Sequence, residues 1–89
     1  PVDVAEAVEA FLAAPSWERA HEILRARRRA LLTDAAIAIL HDKAEALLQR
    51  GTGRDLYAAH LLDLQAALLR RARAVGIEQA WQEFEAERD

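Results

Sequence analysis

Glu18 and His21 stand three residues apart in the run Glu18-Arg19-Ala20-His21, a spacing that puts a carboxylate and an imidazole on one face of a helix. Di-iron helical bundles use two such pairs together with two further inward carboxylates. This chain has a single copy. Glu18 also suits the first turn of a helix, where an acid meets the positive end of the dipole. His21, His41 and His60 fall on three separate segments, His41 beside Asp42 and His60 three residues before Asp63. Three imidazoles can gather round a zinc ion. Their wide spacing across different segments matches no ligand motif, and boundary histidines account for it. No metal site and no cofactor is assigned.

Nucleophilic chemistry is poorly supplied. Ser16 is the only serine, and its place before an amphipathic segment is that of an N-cap. The absence of cysteine removes thiolate nucleophiles, thiolate metal ligands and disulfides, and fits a reducing, cytoplasmic setting. Gly51-Thr52-Gly53 lacks the lysine and spacing of a phosphate-binding loop. Paired carboxylates occur on solvated faces. The sequence therefore reads as non-catalytic.

Two basic clusters remain. Arg25, Arg27, Arg28 and Arg29 form one; Arg70, Arg71 and Arg73 form the other. Each closes a helical segment, where the dipole favours cations. If their helices lay parallel, the clusters would merge into one anion-attracting patch. The whole chain carries a net charge of −3, and no aromatics interleave the arginines. Nucleic acid is thus not an expected partner. No apolar run approaches the roughly 20 residues of a membrane span, and no secretory signal pattern opens the chain. The acidic end, Glu85-Ala86-Glu87-Arg88-Asp89, could meet the basic patch of a second molecule and give a homodimer.

These residues need elements to hold them. The chain has 89 residues, enough for one domain, and hydrophobic residues make up 53%, too many for a disordered chain. Residues 1–89 are read as one helical domain, either complete or a segment of a longer protein. The start at Pro1-Val2 without any methionine fits a removed initiator or an excised piece. Pro15, Gly51, Gly53 and Gly76 break the chain, and apolar residues between them recur at helical spacing. Four valines and two threonines are too few for a sheet.

Five helices are predicted. The first runs from about Asp3 to Ala14, with Val4, Val8, Phe11 and Leu12 inward. The second starts after Ser16, buries Trp17, Ala20, Ile23 and Leu24, and runs into the arginines. The third follows Thr33 and ends at Arg50, with Ile37, Leu40, Ala44, Leu47 and Leu48 as its stripe. The fourth, from about Asp55 to Val75, carries two stripes: Tyr57, Leu61, Leu64 and Leu68, and Leu62 with Leu69. A helix apolar on two sides packs against two neighbours, which makes it central. The fifth runs from about Ile77 to Glu87, with Ile77, Ala80, Trp81 and Phe84 inward. Short connections make neighbours antiparallel. The expected fold is all-α: helical hairpins in a stack or a small orthogonal bundle.

A further pattern emerges from Phe11-Leu12 before a break, Ser16-Trp17 with Arg19, Leu31-Leu32-Thr33, Leu68-Leu69 with Arg73, Gly76-Ile77 and Ala80-Trp81. It resembles a helical module of actinobacterial and cyanobacterial multidomain proteins, found before tetratricopeptide repeats or caspase-like CHAT domains. The resemblance spans about Phe11 to Phe84. The chain departs from it at Arg29-Ala30, where a proline-containing turn is usual, and at Trp81, where phenylalanine is usual. The resemblance implies a tetratricopeptide-like interaction or spacer module and no catalytic residue. The expected function is a non-catalytic protein–protein interaction or scaffold module. Its candidate partner-binding residues are Trp17, Trp81, Phe84, Arg27, Arg28, Arg70, Arg71 and Arg73. Two alternatives are a stand-alone helical homodimer and a bundle that holds a small molecule among its middle helices.

Overall fold

Six helices form, in a computed structural model that describes residues 3–88: α1 (Val4–Leu12), α2 (Trp17–Ala26), α3 (Arg28–Leu31), α4 (Asp34–Arg50), α5 (Gly53–Val75) and α6 (Ile77–Arg88). Among the described residues there is no strand, and the fold is all-α. Pro1, Val2 and Asp89, the last counted above with the acidic end, lie outside the described residues.

Side-chain oxygens start four of these helices. Asp3 accepts from the Glu6 N–H at 3.0 Å, and Ser16 from the Arg19 N–H at 3.1 Å. Thr33 accepts from the Ala36 N–H at 3.1 Å and donates to the Ala30 carbonyl at 2.8 Å. Thr52 accepts from the Asp55 N–H at 3.1 Å and donates to the Asp55 carboxylate at 2.7 Å. The four bonds accepted from N–H groups each satisfy a donor that the first turn leaves without a partner. The Thr52 cap also corrects a boundary. Gly53 and Arg54, expected in a loop, are the first residues of α5, because the threonine hydroxyl serves the open end of the helix.

The second predicted helix is interrupted. At Arg27 the backbone leaves helical geometry (φ −112°, ψ 23°), and a separate turn, α3, follows. This turn buries the adjacent pair Ala30 and Leu31 while Arg28 and Arg29 stay exposed. Gly51 ends α4 in the left-handed conformation at φ 74°.

The core is one cluster in which Phe11, Leu24, Leu31, Leu40 and Leu69 are the largest fully buried side chains. Alanines 7, 20, 36, 66, 72 and 80 fill the spaces between them and let helices approach closely. α5 packs against α4 on one side and α6 on the other, as its two stripes predict. α1 covers α4, and α2 reaches α6. The cluster takes in α4 up to Leu40 and α5 from Leu62 onward. The tip of the α4–α5 hairpin therefore extends past it, with Ala44 and Ala59 buried there. No helix of the described residues is long and apolar enough to cross a membrane.

Candidate functional site

The α2–α6 contact gathers aromatic side chains. On α2, Trp17 and His21 share a face; on α6, Trp81 and Arg88 do. His21 stacks on Trp81 with ring centroids 4.3 Å apart and planes inclined by 11°. Phe84 lies 4.9 Å from Trp17 and 5.3 Å from Trp81, both tilted. Tilted and offset pairs suit the quadrupoles of the rings. Trp81 is buried at 4% exposure, while Trp17 and Phe84 are half-buried. The guanidinium of Arg88 sits over Trp17 at 5.4 Å and over Phe84 at 5.9 Å from the ring centres.

Charge organises the same contact. Glu78 accepts two hydrogen bonds from Arg25, at 2.9 and 3.2 Å, and one from the His21 Nε2–H at 3.1 Å. Arg25, and then His21, hold the Glu78 carboxyl below its ordinary range. Around them Trp17, Glu18, His21, Glu22, Glu85 and Arg88 line a cleft of about 340 Å³.

Two neighbouring clefts are bordered by Phe84 and by Trp17. One, about 320 Å³, lies between α5 and α6 and includes Leu64, Leu68, Ala80 and Phe84. The other, about 240 Å³, is bounded by Leu12, Pro15, Trp17, Leu61 and Gln65. Together they join the aromatic cluster to the outward stripe of α5. Tyr57, Leu61, Leu64 and Leu68 were all expected to be core. Leu68 is buried beneath α6, Leu61 is half-buried, Leu64 is 40% exposed and Tyr57 67% exposed. The reason is length. α6 has 12 residues and α5 has 23, so α6 covers only the C-terminal part of the stripe. Leu48 of α4, also expected inward, is 45% exposed near the hairpin tip.

Most of the arginines of the two clusters are paired rather than free. Arg27 pairs with Glu6, Arg73 with Asp34, and Arg71 donates to Glu83 at 2.8 and 3.1 Å. Arg70 donates to His41 Nε2 at 2.7 Å, which leaves the His41 Nδ1 proton toward Asp63, 3.7 Å away. Glu6 raises the Arg27 pKa, and Glu83 that of Arg71. The Glu83 carboxyl is pushed down to about 2, first by Arg71 and then by Gln79. Arg28 is exposed and borders a separate cleft with Leu32, Ala72 and Ile77.

The histidines also part: His21 meets Trp81 and Glu78, His41 meets Arg70, and His60 is exposed elsewhere on α5. Among the described residues, no group of three His, Cys, Asp or Glu is placed to hold a metal ion. Trp17, Trp81 and Phe84, named from the sequence as partner-binding candidates, lie together here; Glu78 and Arg88, their polar neighbours, are not foreseen. The spacing Trp81, Glu85, Arg88, which repeats one helical face, was the available signal. Comparisons with protein-family models, with curated proteins and with solved structures give no match to this chain.

Proposed function

We propose that this chain is a non-catalytic protein–protein interaction or scaffold module, and that its partner docks on the surface running from Trp17 and Phe84 along the outward stripe of α5. One observation carries the reading: Leu64 and Tyr57 continue an apolar stripe that α6 covers only in part, and both are exposed. Contiguous apolar surface rimmed by charge is a usual mark of a docking site. Half-buried aromatics at one end add the anchors that such sites favour.

The residues that resemble the actinobacterial and cyanobacterial module support the same reading and extend it to a tetratricopeptide-like part of a bacterial multidomain protein in the cytoplasm. A small-molecule pocket among the middle helices has less support. The clefts between α2 and α6 and between α5 and α6 are bordered by charged side chains.

The test is site-specific photocross-linking in an extract of the source organism, with benzoylphenylalanine at position 57 or 64 and, as control, at exposed Asp42 on α4. A discrete adduct formed from positions 57 and 64 and absent from 42 supports docking at the stripe. Equal or absent labelling at all three positions overturns it. An adduct of twice the chain mass would make the partner a second copy.

A further inference from the structure

We propose that the α2–α6 cleft is a receptor for a guanidinium: it binds an arginine side chain on a basic segment of the partner, and Arg88 occupies that place in the free chain. The inference rests on the interaction reading above and adds the chemistry of one partner group.

Three features point to it. First, Trp17, which lines the cleft, and Phe84, which lies beside it on α6, are tilted by 58° at 4.9 Å, so they form a notch at the cleft's edge. A planar cation in this notch meets two ring faces at once. Arg88 does so, at 5.4 and 5.9 Å. A guanidinium suits such a site better than an ammonium, because it is planar and weakly hydrated. Second, carboxylates Glu18, Glu22 and Glu85 border the cleft. The cleft's other arginine, Arg25, is already committed to Glu78 by two hydrogen bonds. Glu22 pairs with Arg19 at 3.9 Å, so Glu18 and Glu85 are the carboxylates the rim offers an incoming cation. Third, Arg88 is weakly held. It is exposed on the last turn of α6, and among the described residues its guanidinium meets ring faces and no carboxylate. A ligand arginine could take its place without breaking an ion pair.

An internal occupant lowers apparent affinity by the fraction of time it blocks the site. That gives the test its sign. The probe is a fluorescein-labelled peptide of about a dozen residues, with arginine at every third position among glycine and serine, read by anisotropy against the full chain. Arg88→Gln should bind it about three- to tenfold more tightly than the parent chain. Arg54→Gln, which removes the same charge at the far end of α5, should stay within about twofold. A twin peptide with citrulline, equal in shape but uncharged, should bind at least about tenfold more weakly. Trp17→Leu in the Arg88→Gln background should abolish the gain, while Trp17→Phe keeps a ring and much of the binding. Glu85→Gln, on the solvated rim, should weaken binding without altering the melt.

No gain with Arg88→Gln, an equal gain with Arg54→Gln, or equal binding of the citrulline twin overturns the proposal. Free methylguanidinium saturating the site at the same concentration as the peptide would overturn the assignment to a protein segment. The two levels fail separately. Cross-links at 57 and 64 with no arginine selectivity would leave the interaction reading standing without this one.

Discussion

His21 lies flat against Trp81, 4.3 Å between ring centres, and donates an Nε2–H hydrogen bond to Glu78 one turn earlier on the same helix as the indole. A residue of the second helix is thus gripped from two sides by the last one. This stack roots the half-open aromatic cluster in the core and fixes where Trp17 and Phe84 can lie.

Trp81→Ala should therefore cost about 3 kcal/mol or more of folding stability, since it empties the largest ring site in the core. Trp17→Ala should cost clearly less, because its ring is only half-buried. Urea denaturation of both variants checks the order. Equal losses would mean that the two indoles share the structural role.

Acid should destabilise the fold in a defined window. The Glu83 carboxyl is lowered from 4.5 to about 2 by Arg71 and Gln79, and Glu78 is lowered by Arg25 and His21. A depressed carboxyl favours the folded state above its unfolded pKa and loses that contribution as pH falls through the folded value. Stability should thus decline between about pH 4.5 and pH 2. Glu83→Gln should flatten that decline. Because the pair is exposed to solvent, added salt should shrink the difference between variant and parent. Thermal melts across the window at low and high salt provide the measurement.

Gly76 joins α5 to α6 by itself, at φ 96° and ψ 155°. That region is open to glycine almost alone, so Gly76→Ala should cost about 1–3 kcal/mol. A Cβ there would meet nothing within 4 Å, so the cost is backbone strain and not a clash. Gly51, at φ 74°, is in the milder left-handed region, and Gly51→Asn should be nearly neutral by comparison. Denaturation midpoints distinguish the two sites.

Surface and core leucines of the same helix should behave differently. Leu64→Glu and Tyr57→Ser should each change stability by about 0.5 kcal/mol or less, while Leu69→Ala should cost about 2–5 kcal/mol. A large loss at position 64 would show that the stripe is covered in solution, either by a second copy or by a shifted α6. Sedimentation of the parent chain would then separate those two cases.

Much of this arrangement was legible beforehand. Ser16, Thr33, Gly51 and Gly76 announced helix ends through cap chemistry, and the ends lie where those residues are. That α5 meets two neighbours followed from its two stripes; its central place did not, since α4 is the helix that packs against α1, α3 and α5. Three other things were not legible. The break at Arg27 has neither glycine nor proline to mark it; it comes from packing Ala30 and Leu31 together. The exposure of Tyr57 and Leu64 depends on how far a neighbouring helix reaches, a tertiary quantity that periodicity does not contain. The pairing of the arginines depends on Glu6, Asp34 and Glu83, acids distant in sequence that the fold brings to them.

The tip of the α4–α5 hairpin has a further consequence. Asp55 is the one buried charged residue of the described chain, and Thr52 and Arg50 both face its carboxylate. The elements closed by this lock are adjacent along the backbone, so little loop entropy opposes their meeting. α4 and α5 should assemble first as the chain folds, and their amide protons should be the slowest to exchange with solvent. α1 and α2, which settle on that frame from a distance, should open more readily.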